Sequence, residues 1–183
     1  MNTQKLGAEL AQQVTDAVME SSEEISEAFG IPDYEVFFEY IAVLFWTAGH
    51  EVEVTLPEED VRNVNSYAFS STWMILTKAG VENLHNSFNE EFFQEFMVHR
   101  LEIYENAWCA LQKKYNVDNE EANEATIAHN FIILCITKNG DLGKGEQIYR
   151  NHPSYANYTR HIAVVLRHYR VFVGRVKAIM SRN

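Results

Sequence analysis

The run Tyr34-Glu35-Val36-Phe37-Phe38-Glu39-Tyr40-Ile41-Ala42-Val43-Leu44-Phe45-Trp46 constrains the fold more than any other segment. Wound as a helix it is apolar nearly all round, and only Glu35 and Glu39 mark a polar edge. Such a helix needs neighbours on every side, so it belongs in the middle of a core. Asp33 stands where a cap is wanted, and Gly49 reads as the stop. That places the second helix at Asp33 to about Ala48.

The flanking sequence supplies the neighbours. Leu6, Leu10, Val14 and Val18 recur at helical spacing, and Ile25 and Phe29 continue the stripe, so residues 3–29 read as an amphipathic helix. Phe29-Gly30-Ile31-Pro32 is its stop signal: a glycine able to turn left-handed, an apolar residue, then a proline. Val52 to Leu56 alternates in polarity but is too isolated for a sheet and reads as a connector. Thr55-Leu56-Pro57-Glu58-Glu59 opens a third helix, to about Ala79, with a first-turn proline and acids near its positive end. Ser87-Phe88-Asn89-Glu90 is a capping-box pattern for a fourth helix, to about Tyr115, with an apolar face of Phe93, Phe96, Met97, Tyr104, Trp108, Leu111 and Tyr115. Asp118 and Glu121 open a fifth, to about Lys138. A glycine-rich loop, a short turn at Glu146 to Arg150, and a last helix from Pro153 to about Ser181 complete the chain. The sum is an all-α, single-domain bundle of about six helices with short connections, spanning residues 1–183.

Cys109 and Cys135 lie in apolar helical surroundings and read as reduced core residues. The N-terminus has no apolar signal core, and no apolar run approaches the roughly 20 residues needed to cross a bilayer. A cytoplasmic protein with no membrane contact is the expectation.

Charge divides the chain unevenly. Residues 1–143 hold 7 Lys/Arg against 25 Asp/Glu, an acidic body; residues 144–183 hold 8 Lys/Arg and one acid, Glu146, a basic C-terminal segment. The net charge of −11 disfavours general attraction to nucleic acid, and no nucleic-acid-binding signature is present. On the last helix Ile162, Val165, Leu166, Tyr169, Phe172, Val173, Val176 and Met180 share one face, while Arg160, Arg167, Arg170, Arg175 and Lys177 fall on the other. Such a row of guanidinium groups can hold phosphate or carboxylate, or lie against acids of the body.

Arg100 is the sharpest single residue. Its wheel position falls among Phe93, Phe96, Tyr104 and Leu111, inside an apolar face. A guanidinium there needs a carboxylate, a carbonyl or a ligand. Glu35 and Glu39 are its natural partners. Other chemistry is thin. Glu95, His99 and Glu102 share a helix face that looks simply wet. Glu82 to His85 is a single Glu-x-x-His, where a di-iron bundle needs two. His50-Glu51 lacks the second histidine of a metalloprotease helix. His129 reads as a satisfied core residue, and His161 and His168 flank the apolar face of the last helix. Ser66, Ser70, Ser71, Thr72 and Thr77, and Asn123, Thr126, Asn130 and Thr137, form two neutral polar stripes that either satisfy each other or line a pocket. No catalytic constellation, metal-ligand set or cofactor motif is identified. The defining residues of di-iron bundles, terpene synthases, helix-turn-helix regulators and helical ribonucleases are missing.

Two functional expectations follow, with nucleic-acid contact by the terminal arginine row, weakening steeply with salt, as a third. The first is a non-enzymatic acidic helical protein that acts by binding a protein partner or by self-association, such as a neutraliser of a basic protein. The alternative is a small-molecule or anion site inside the bundle, with enzymatic activity open, centred on Arg100 with Glu39 and the hydroxyl-bearing third helix.

Overall fold

Helix α2, Asp33–Thr55, is the axis of the molecule. Every residue from Val36 to Ala48 is buried, Glu39 included. The computed structural model describes residues 2–80, 89–115 and 120–182, and all of its regular structure there is helical. Around α2 stand α1 (Thr3–Phe29), α3 (Glu58–Lys78), α4 (Glu90–Tyr115), α5 (Glu120–Thr137), α6 (Leu142–Arg150) and α7 (Tyr158–Met180), with a 3-10 segment at Pro153–Asn157. The all-α bundle is as the periodicities predict. Ser87 of the capping pattern, Asp118 and the Glu82–His85 pair lie outside the described residues.

Helix α2 differs from expectation in running straight through Gly49 and the supposed connector. A helical glycine costs about 1 kcal/mol relative to alanine. Val52 is fully buried one turn later, and burial of a valine returns about 1.5–3 kcal/mol. Packing therefore outweighs the local stop signal, and α2 ends only before Pro57. Asp33 does not cap this helix. Pro32 takes that position with extended backbone, and Asp33 and Glu35 occupy the first turn, where the helix dipole favours acids. Gly30 does turn left-handed, at φ 68°, and its N–H returns to the Ser26 carbonyl. Asn89 caps α4: its Oδ1 accepts from the Phe92 N–H at 2.8 Å.

Helices α1 and α3 make the most intimate contact. A Cβ on Gly7 would come within 2.6 to 2.8 Å of Tyr67 Cβ, the Val64 carbonyl oxygen and the Ala68 nitrogen. Gly7 is thus the contact that lets the two backbones touch. Helix α7 packs in cis across α1, α2 and α5, burying Val165, Tyr169, Phe172, Val173 and Val176. Helices α4 and α5 both lie on α2 but meet each other sparingly. Phe38 meets Phe96 and Trp46 meets Trp108, so α4 runs parallel to α2. Lys138 returns to Glu35, while Asn123 lies near Trp46, so α5 runs antiparallel. The result is a groove floored by α2, with a cavity toward each end.

Candidate functional site

Arg100 and Glu39 meet in the first of these cavities. Arg100 Nη2 lies 2.6 Å from Glu39 Oε1, with side chains only 11% and 7% exposed. The periodicity of α4 and the polar edge of α2 both lead here. The apolar face of α4 carries Arg100 inward, and Glu39 is the one acid on the inward side of α2. The expected second partner, Glu35, is taken by Lys138 instead.

The pair is half made. Two further polar atoms of the pair, Arg100 Nε and Glu39 Oε2, are buried without a hydrogen bond, as is the nearby Tyr104 hydroxyl. A bidentate arginine–carboxylate pair would use two N–H donors and both oxygens. Such orphaned groups are costly in a low-dielectric interior. The cost is visible in protonation: burial pushes the Glu39 carboxyl up to about 7, against the opposing pull of Arg100. Burial also pushes the Tyr104 hydroxyl and the Cys135 thiol well up, with the Glu39 charge adding to both. Burial thus disfavours the thiolate form of Cys135.

Above this floor is a cavity of about 340 Å³, walled by Tyr34, Phe38, Phe92 and Phe96 from α2 and α4 and by Leu134 and Cys135 from α5. The Arg100 guanidinium carbon lies 5.4 Å from the Phe96 ring centroid, which adds a cation–π contact. Tyr34 and Phe92 are partly exposed at the mouth, and Lys138 with Glu35 forms the polar rim. Lys138 carries φ 55°, a left-handed conformation in a residue other than glycine. That conformation costs about 1–2 kcal/mol. Among the described residues it is the one non-glycine at positive φ, and it sets a lysine at the edge of this cavity.

The other expected site residues lie elsewhere. Arg167 pairs with Glu24, Arg170 with Glu124 at 2.7 Å and Arg175 with Glu20 at 2.9 Å, so three of the four arginines bind acids of the body. Arg160 is exposed and makes no ion pair among the described residues. His168 joins Glu24 and the Ser21 hydroxyl. His161 is in the core rather than at its border: it is 1% exposed, with Nδ1 3.0 Å from the Tyr149 hydroxyl. Nδ1 of His129 is 3.1 Å from the Tyr158 hydroxyl. Burial holds both histidines below their ordinary pKa.

The hydroxyl-bearing helix α3 does not reach the Arg100 cavity. Ser66 and Ser70 are exposed, and Thr72 donates to the carbonyl of Ala68. Cys109, expected in the core, is exposed, and its thiol lies 3.2 Å from Glu105. It falls on the outer side of α4, four residues beyond Glu105. Among the described residues no histidine, cysteine and acid cluster could hold a metal, and no helix is long and apolar enough to cross a membrane. The aromatic walls escaped the sequence reading, because Tyr34, Phe38 and Phe92 come together only when α2 and α4 pair in parallel. Comparison with protein-family models, with curated proteins and with solved structures finds no match to this chain.

Proposed function

We propose that the chain binds a small carboxylate-bearing molecule with an apolar body, held in the cavity over Arg100. The observation that carries this reading is the half-made ion pair: Arg100 Nε and Glu39 Oε2 lie unpartnered beneath an aromatic cavity. Arginine stays charged at any ordinary pH, whereas Glu39 becomes neutral as pH falls below about 7. A ligand carboxylate can take over the guanidinium when Glu39 takes up a proton. Protonated Glu39 can then donate to the same ligand, and the phenylalanines cover its apolar part. The pair thus exchanges an internal carboxylate for an external one at little net change in charge.

A protein partner gripped by the terminal arginine row has less support. Glu20, Glu24 and Glu124 of the same chain engage Arg175, Arg167 and Arg170.

The test is calorimetric titration with benzoate and phenylacetate at pH 6 and pH 8, in buffers of different ionisation enthalpy. The reading requires tighter binding at pH 6, uptake of a proton at pH 8, and loss of binding in Arg100→Met. Benzamide, the neutral counterpart of benzoate, binding as well as benzoate would defeat it.

A further inference from the structure

The second cavity, at the opposite end of the same groove, has a different chemistry. It measures about 310 Å³ and lies between α2, α4, α5 and α7. Trp46 and His50 stack nearly parallel, at 9° and 5.4 Å between centroids. Trp108 meets His50 edge-on at 4.9 Å, and Tyr169 from α7 closes the ring of aromatics. The polar lining is rich in acceptors. Glu51 makes no ion pair among the described residues. Asn123 Oδ1 is buried with no hydrogen bond. Behind the ring, the Trp46 indole N–H donates to Glu105 Oε2 at 3.1 Å, which leaves the indole face more negative. No lysine or arginine is among the lining residues. Glu124, a further acid of the lining, is bound to Arg170.

From this arrangement we propose that the Trp46–Trp108 cavity binds an organic cation of the alkylated-ammonium class. Indole faces attract such cations through the ring quadrupole, and the attraction grows where water is excluded. Alkyl groups on the nitrogen match the aromatic wall, while Glu51 and Asn123 Oδ1 meet the positive charge. A bare primary amine would instead demand three aligned acceptors. This site is independent of the Arg100 cavity, which carries guanidinium and ammonium groups and repels the same ligand.

Tetramethylammonium and choline are the probes, read by intrinsic fluorescence, since two of the three tryptophans line this cavity. Both should saturate in the millimolar range or tighter. The carbon isostere of choline, which has the same shape and no charge, should bind at least about fivefold more weakly. Glu51→Gln should weaken both cations about three- to tenfold, and Trp108→Leu about tenfold or more. Glu51 is only half-buried and the glutamine is isosteric, so that variant keeps the test meaningful if Trp108→Leu misfolds. Equal binding of the neutral isostere overturns the proposal, as does unchanged affinity in Glu51→Gln or the lack of saturation by either probe. Co-sedimentation with phosphatidylcholine vesicles, competed by free choline, would assign the cation to a lipid headgroup. Saturation by choline without co-sedimentation would assign it to a free metabolite.

Discussion

At the scale of the residue, the Arg100–Glu39 pair controls both stability and its pH dependence. Breaking a buried pair by removing one partner costs about 3–5 kcal/mol, because the other charge is left alone. Arg100→Met should therefore destabilise the fold by up to about that much at pH 8, where Glu39 must either stay buried as a lone anion or take up a proton that the unfolded chain does not hold. The loss should shrink at pH 5, where Glu39 is neutral. Urea unfolding at the two pH values measures both. The pH dependence of the parent protein has a definite sign. The carboxyl titrates near 4.5 when unfolded and at about 7 when folded. Below 4.5 both states hold the proton and the contribution of Glu39 is at its most favourable. As pH rises toward 7 the folded state keeps a proton that the unfolded state has lost, so stability falls through that window. His129 and His161 act oppositely. Burial lowers their folded pKa, so they favour the fold above about 6.5 and weaken it as pH falls. The difference between the parent and Glu39→Gln, measured by urea unfolding from pH 4 to 8, isolates the carboxyl. It should slope between 4.5 and 7 and be flat outside that window. A difference curve that is flat throughout would mean that Glu39 has an ordinary carboxyl pKa.

At the scale of the element, two glycines in helix interiors should respond oppositely to the same substitution. In Gly7→Ala the added methyl meets α3 backbone atoms within 2.8 Å, which cannot swing aside as a side-chain tip can. Helices α1 and α3 must separate, at a cost of about 1–3 kcal/mol. Gly174 in α7 is exposed, with nothing within 4 Å of an added Cβ. Gly174→Ala should therefore stabilise by about 0.5–1 kcal/mol through helix propensity alone. Thermal unfolding of the two variants beside the parent checks both signs. The contrast also explains how much of the fold was legible in the sequence. The period of Leu6, Leu10, Val14 and Val18, the Gly30 stop and the apolar girth of α2 are local signals, and the elements they predict are present. Gly49 misled because a glycine reports only its own backbone preference, while continuation of α2 was decided by Val52 finding the core. Which neighbour a glycine touches is a property of the packed pair, so nothing around Gly7 in the sequence distinguishes it from Gly174.

At the scale of the whole molecule, the same division holds for the sites and for the charge. Arg100 was visible because one charge interrupts an apolar face, and Glu39 because it interrupts another. Their aromatic surroundings, and the whole Trp46–Trp108 cavity, arise from helices distant in sequence and left no periodic trace. The charge asymmetry was visible as a sum, but its use depends on how α7 lies. In this fold the basic face of α7 lies along α1 and α5, placing Arg167 and His168 at Glu24, Arg175 at Glu20 and Arg170 at Glu124. The hydrogen bond from Arg167, then that from His168, holds the Glu24 carboxyl below its ordinary pKa. Exposed pairs of this kind contribute only about 0.2–1 kcal/mol each, so they orient α7 more than they hold it, and the apolar face does the holding. Reversal is a stronger perturbation than removal, because it sets acid against acid on a body that is already negative. Arg167→Glu with Arg175→Glu should cost about 1–3 kcal/mol at low ionic strength. Most of that loss should be recovered near 1 M salt, where the screening length falls to about 3 Å. The neutral pair Arg167→Gln with Arg175→Gln should lie between parent and reversal. Urea midpoints of the three proteins across a salt series decide the matter: convergence at high salt supports α7 lying on its own acidic body, and parallel, salt-independent curves would show that these arginines face away from Glu20 and Glu24 in solution.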